Sequence, residues 1–255
     1  MSKKTKIMNK TVKRILIGLG ALIVLMALAM GGFMLKMKSE LKQMHVIETR
    51  EVIHSVYTIK DSFVNMFLIK DGDKYVAIDA GNDVKVIAAE LKSLGIDPEK
   101  VKAVLLTHSD GDHVGALKLF KNANVYLSRD EEQMINGTQS KLLFFHNNLD
   151  RTDYSLLNDQ QAIRVGNIRI KTIMTPGHTP GSMSYIVNDS CLFVGDAFGL
   201  KSGKVARPNK FFSGDMNTAI QSFKKIVNIP GLKYVFTAHS GYSKDYKYAV
   251  NTSLE

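Results

Sequence analysis

The sequence predicts an α/β fold, with mixed sheets covered by helices and one membrane-spanning helix ahead of them. Three observations predict it. An uncharged apolar run from Ile15 to Leu35 follows a basic N-terminus. From Val52 onward, short β-branched and aromatic runs come in the order strands, helices and strands, then strands, helix and strand, which mixed sheets under helices would bury. The 255 residues are 45% hydrophobic and 23% charged, which excludes a disordered or low-complexity chain, and one cysteine excludes a disulfide scaffold or a cysteine-based zinc finger.

The N-terminal run is taken first. Its 21 residues span roughly 31 Å as a helix, which matches a bilayer core of ~30 Å. Residues 1–14 form a basic tail (Lys3, Lys4, Lys6, Lys10, Lys13, Arg14) expected to stay in the cytoplasm, which places the remainder outside. The rival reading is a cleaved signal peptide with Ala27-Leu28-Ala29 at its cleavage site, giving a secreted protein. The net charge of +10 raises nucleic-acid binding as a question. Seven Lys and Arg and no Asp or Glu lie in residues 1–36, so the rest carries 27 basic against 24 acidic residues. The excess belongs largely to the N-terminus and makes little case for nucleic acid, without excluding it.

Residues 36–49 read as a polar, helical linker, and residues 50–255 as one folded domain. Val52–Ile59 and Phe63–Ile69 are expected strands, Asp71-Gly72-Asp73 a turn, and Tyr75–Ile78 the return strand. Val84–Leu94 has helical apolar spacing and stops near Gly95. Val101–Leu106 is an expected buried strand, followed by a short helix to about Phe120 and a strand at Val125–Leu127. Residues 129–160 read as irregular, with an apolar knot at Leu142–Phe145. Strands are expected at about 161–165, 168–174, 183–187 and 191–194, with turns at Asn167 and Asn188-Asp189. A basic loop (Lys201, Lys204, Arg207, Lys210), a helix at Met216–Val227 and a last strand at Tyr234–Phe236 complete the order.

Seven polar residues stand in loops after strands, where a rigid scaffold commonly holds binding groups: His108, Asp110, Asp112, His113, His178, Asp196 and His239. His108 to His113 is an H-x-D-x-D-H cluster, and His178 is presented by a turn with Pro and Gly on both sides. Imidazole mixed with carboxylate suits Zn, Fe or Mn rather than Ca or Mg. His45, His54, His146 and Cys191 read as ordinary local or packing residues.

Asp79-Ala80-Gly81, T-H-S-D-G-D-H-V-G, T-P-G-H-T-P-G-S, V-G-D and A-H-S-G, in that order from Val52 to Ser243, resemble the motifs of the metallo-β-lactamase-fold superfamily. The resemblance implies a four-layer αβ/βα sandwich with a two-metal site at one edge. It implies His108, Asp110 and His178 on the first ion, Asp112, His113 and His239 on the second, and Asp196 between them. The ions would be two divalent cations, zinc first, with Mn or Fe as the other candidates. The implied reaction is hydrolysis by a metal-bridging hydroxide, which Asp112 would also orient. The common motif is H-x-H-x-D-H, and Asp110 stands here for its second histidine. Channel proteins of DNA uptake resemble this chain in carrying H-x-D-x-D-H, and flavodiiron proteins have glutamate at the position. The expected activity is therefore that of a membrane-anchored extracellular hydrolase of a small-molecule or other extracellular substrate. The substrate classes such a centre hydrolyses are esters, thioesters, lactones, β-lactams and phosphodiesters. The competing expectations are an iron-dependent oxidoreductase and a non-catalytic binding module on the same fold.

Overall fold

A computed structural model describes residues 9–140 and 146–251, in two compact units that divide between Gln43 and Met44. The expected knot at 142–145 and the lysines at 3, 4 and 6 lie outside the described residues. The first unit is a helix, α1 (Lys10–Leu41), which contains the whole Ile15–Leu35 run and is long and apolar enough to cross a membrane. Asn9 caps it by accepting from the Thr11 amide.

In the second unit the first sheet takes its strands in chain order. It runs β1 (Arg50–Ile53), β2 (Val56–Asp61), β3 (Val64–Asp71), β4 (Lys74–Ile78), β5 (Val101–Leu105), β6 (Asn124–Ser128) and β7 (Tyr154–Leu157). Pairing is antiparallel up to β4 and parallel from β4 to β7. The crossover from β4 to β5 carries α2 (Val84–Ser93), started by the Asp83 side chain accepting from the Lys85 and Val86 amides. The short α3 (Gly111–Val114) follows β5, and α4 (Glu132–Ile135) follows β6.

The second sheet is built from β8 (Ala162–Val165), β9 (Ile168–Met174), β10 (Met183–Val187) and β11 (Cys191–Phe193). A hairpin of β12 (Gly199–Lys201) and β13 (Lys204–Ala206) and the helix α5 (Met216–Val227) intervene. Then β14 (Tyr234–Thr237) pairs parallel with β11, β15 (Gly241–Ser243) forms the edge, and α6 (Tyr246–Val250) ends the described chain.

The two sheets face one another. Phe67, Ile69, Val76, Ile78 and Leu105 of the first pack against Ile168, Ile170, Tyr185, Phe193 and Phe236 of the second. Alternate residues Met66 and Leu68 of β3 point the other way, onto Ile87 and Leu91 of α2. On the far side of the second sheet, Leu192 and Val235 pack against Phe223 and Ile226 of α5 and Tyr246 of α6. Helix, sheet, sheet, helix is the expected αβ/βα sandwich.

Several expectations are corrected. The predicted strand Val52–Ile59 is two strands, because Ser55 takes a left-handed φ of 65° and its amide donates to Glu51 Oε1, turning β1 back on β2. The helix of the expected linker ends at Leu41. Beyond it Ile47 is held by Asn65, whose side chain accepts from its amide and donates to its carbonyl, both at 2.8 Å. The expected irregular 129–160 segment contains α4 and the edge strand β7, and the basic loop contains the β12–β13 hairpin. The expected last strand, Tyr234–Phe236, is not the last, since β15 pairs with it.

Candidate metal centre

The seven candidate residues follow the C-terminal ends of strands that share an edge. His108 lies just past β5, Asp110, Asp112 and His113 enter or sit in α3, and His178 lies between β9 and β10. Asp196 follows β11, and His239 follows β14. The β11–β14 pair is parallel, so Asp196 and His239 emerge side by side. The sheets are tied together beneath them. The Met183 amide donates to Thr107 O at 2.8 Å, and the buried Tyr185 hydroxyl donates to Leu106 O at 2.6 Å.

Two glycines make the approach feasible. Gly195 has φ +54°, and a Cβ there would stand 2.5 Å from Thr107 Oγ1. Gly177 has φ +132° and lies so close to α5 that a Cβ would stand 2.3 Å from the Ala219 backbone. Both conformations favour glycine.

The side chains converge in two groups. His108, His178 and Asp196 offer donor atoms within 4.8 Å of one another, as do Asp112, His113 and His239. Asp196 faces both groups. Its Oδ1 lies 3.1 Å from His239 Nε2 and 3.4 Å from His113 Nε2, while Oδ2 lies 3.4 Å from His178 Nε2. Asp112 Oδ2 is 3.5 Å from His239 Nε2 and 3.7 Å from His113 Nε2. Asp110 Oδ2 is 3.0 Å from His178 Nε2 and 3.5 Å from His108 Nε2. All seven expected residues therefore meet in one place.

Partners behind the imidazoles aim them. His113 Nδ1 is 2.9 Å from Asp79 Oδ2, His239 Nδ1 is 2.6 Å from Phe63 O, and His108 Nδ1 is 3.0 Å from Thr107 Oγ1. With the Nδ1 proton spent on these acceptors, each Nε2 turns a lone pair inward. His108 Nε2, His113 Nε2 and Asp196 Oδ1 are buried without a hydrogen-bond partner among the described residues. Leaving such atoms unsatisfied costs about 1–3 kcal/mol each, and a cation removes that cost. The donor set of imidazoles and carboxylates fits a divalent transition metal.

The charges are strongly coupled. Burial works against ionising Asp196, but His239, His113 and His178 outweigh it and hold its carboxyl well below the usual range. Burial likewise opposes charge on His113, but Asp112, Asp79 and Asp196 raise its pKa well above the ordinary value. His239 is raised too, because Asp196 outweighs the burial. The raised values of His113 and His239 favour protons where a cation would sit, so binding a cation there releases protons.

Three supporting residues were not singled out by sequence reasoning. Asp79 stands in the sequence only as the first residue of the D-A-G motif. It is buried, with a left-handed φ of 61°, and accepts from the Thr107 amide at 2.7 Å as well as facing His113. The fully buried Glu131 accepts from the Ser109 amide and hydroxyl (2.9 and 2.7 Å) through Oε1. Through Oε2 it accepts from Thr179 Oγ1 and the Gly181 amide (2.6 and 3.1 Å). Asn147 donates to Asp110 Oδ1. The D-A-G motif pointed to the first; nothing in their spacing pointed to the other two. His45, His54 and His146 are exposed and outside the cluster, and Cys191 is buried in β11, as expected.

A family model of the metallo-beta-lactamase superfamily matches residues 59–239. The probable metallo-hydrolase YqgX of Bacillus subtilis is 31% identical over 68% of this chain and 82% of its own length. A hydroxyacylglutathione hydrolase of Brucella anthropi is also 31% identical, over 68% of this chain and 59% of its own length. Among solved structures, a B3 metallo-beta-lactamase with an active-site glutamic acid shares the fold. Its TM-score is 0.62 at 19% identity, over 83% of this chain and 90% of that one. With the sandwich, the edge cluster and the family match in agreement, the chain belongs to the metallo-β-lactamase superfamily.

Proposed function

We propose that this metallo-hydrolase holds two divalent ions, zinc first, and hydrolyses a neutral acyl bond: an ester, thioester, lactone or β-lactam. The observation that carries the two-ion reading is the split of Asp196, one oxygen toward His113 and His239 and the other toward His178. His108, Asp110 and His178 hold the first ion, Asp112, His113 and His239 the second, and Asp196 bridges. Such a pair supplies Lewis acidity and a nucleophile drawn from water at neutral pH.

The chain's own residues do the rest. Asp79 and the Phe63 carbonyl keep His113 and His239 turned inward. Asp112, on the first turn of α3 with its side chain 21% exposed, is the carboxylate placed to orient water and accept its proton.

Charge favours the acyl substrate. Two divalent ions, three aspartates and one hydroxide sum to zero. A histidine at position 110 would leave +1. A neutral centre attracts an anionic phosphodiester less than a cationic one does. The name of the Brucella relative, a hydroxyacylglutathione hydrolase, supports the same class. Helix α1 anchors the chain in a membrane, with its basic N-terminal side in the cytoplasm and the catalytic unit outside.

The test is metal analysis of the detergent-solubilised full chain, followed by a panel of chromogenic esters, thioesters, lactones, β-lactams and bis-phosphodiesters. Two zinc or manganese ions with chelator-sensitive acyl hydrolysis is the expected result. Iron with redox turnover, no bound metal, or turnover of phosphodiesters alone would overturn it.

A further inference from the structure

We propose that Asn147 is a positioning residue that locks the Asp110 carboxylate with a single oxygen turned toward the metal centre. The inference rests on Asp110 holding the first ion. An imidazole has one nitrogen to offer once its other is hydrogen-bonded. A carboxylate has two oxygens and about four lone-pair directions, so it needs something to stop its rotation.

Asn147 supplies that stop. Its Nδ2 lies 2.9 Å from Asp110 Oδ1 and 2.9 Å from Ser109 Oγ, so its two amide hydrogens reach two consecutive residues of the H-x-D-x-D-H segment. Its own backbone is fixed, since its amide donates to Met134 O at 3.1 Å. With Oδ1 held by Asn147, Oδ2 is the oxygen that lies 3.0 Å from His178 Nε2 and 3.5 Å from His108 Nε2.

The lock is braced on its far side. Ser109 Oγ passes its own proton to Glu131 Oε1, and Glu131 Oε2 receives Thr179 and Gly181 beside His178. One hydrogen-bonded path thus runs from Asp110 through Asn147, Ser109 and Glu131 to the loop that carries His178. A hydrogen bond behind a metal-holding side chain commonly changes metal affinity 10–100-fold when removed.

The experiment is chelator competition on the full chain with zinc, together with the visible spectrum of the cobalt-loaded protein. It compares wild type, Asn147→Ala, Asn147→Leu, Asp110→Ala and the double variant Asn147→Ala/Asp110→Ala. Asn147→Leu keeps the volume should the alanine variant fail to fold. Wild type is expected to bind two ions; if it binds none, the parent reading falls, and this is seen before any variant is considered. Given two ions, each Asn147 variant should bind the ion that Asp110→Ala also weakens about 10–100-fold less tightly, with an altered cobalt spectrum. In the Asp110→Ala background the same change should cost nothing further. Unchanged affinity in both Asn147 variants would overturn the proposal. So would an equal, additive loss in the Asp110→Ala background, which is what a merely structural asparagine gives.

Discussion

Replacing Glu131 by glutamine isolates a buried carboxylate that no basic side chain pairs among the described residues. Its two oxygens take four donors: the Ser109 amide and hydroxyl, the Thr179 hydroxyl and the Gly181 amide. An amide of the same shape has an acceptor at one end only, so two of the four must face an NH2 group. The arrangement with least loss puts that group toward Thr179 and Gly181, since Thr179 Oγ1 can turn to Ser182 Oγ, 2.7 Å away. The Gly181 amide has no such escape. One unsatisfied fixed donor at about 1–3 kcal/mol and one lost charge-assisted bond at about 1.5–3 kcal/mol together come to about 2.5–6 kcal/mol. For a domain of this size each kcal/mol lowers Tm by about 2–4 °C, so the melt of the metal-free protein should fall by about 5–24 °C. Glu99→Gln, at an exposed position, is the control and should stay within about 0.5 kcal/mol of wild type. Denaturant and thermal unfolding by circular dichroism read both. A Glu131→Gln protein as stable as the control would refute the view that this carboxylate is the buried tie between the His108 and His178 segments.

Three further outcomes follow from the same geometry. Asp79→Asn keeps the shape but withdraws the carboxylate behind His113 Nδ1, and zinc affinity by chelator competition should fall about 10–100-fold with the fold retained. Gly195→Ala forces a Cβ to 2.5 Å from Thr107 Oγ1 at a positive φ, and should cost about 1–3 kcal/mol in a urea melt. In the metal-free protein the raised pKa values of His113 and His239 stabilise the fold below the unfolded histidine value of about 6.5, and that contribution is lost as pH rises through the folded values. Holoprotein should show the opposite slope across the same range, because metal competes with those protons; identical slopes with and without chelator would contradict this.

The parts of the fold legible in the sequence were those with a local cause. α2 declared itself through the spacing of Ile87 and Leu91 and through Gly95, which takes φ +67°. The β3–β4 hairpin was written in Asp71-Gly72-Asp73, where Gly72 takes φ +63°. What failed carried no signal in its own residues. β7 is a strand because Val125 to Ser128 of β6 lie beside it in register, and nothing within Tyr154–Leu157 announces that. The break after Ile53 hangs on one serine, Ser55, adopting a conformation usual for glycine, against the β-branched character of its neighbours.

The metal centre divides along the same line, and Asp110 shows why. Residues that face the centre cluster in short motifs, because a strand end can present only a few side chains to one point, so spacing betrays them. Residues that hold those side chains in place can come from anywhere the chain passes behind. Asp79 was visible because the turn after β4 is itself a motif. Glu131 and Asn147 come from the segment after β6, 22 and 38 residues from the Ser109 they both hold, in a stretch that reads as irregular. An aspartate in place of histidine alters the number of donor atoms at one position, and that change calls for a partner behind it that holds one oxygen. The departure was therefore legible at Asp110 itself, whereas the compensation at Asn147 appears only when the chain is folded around it.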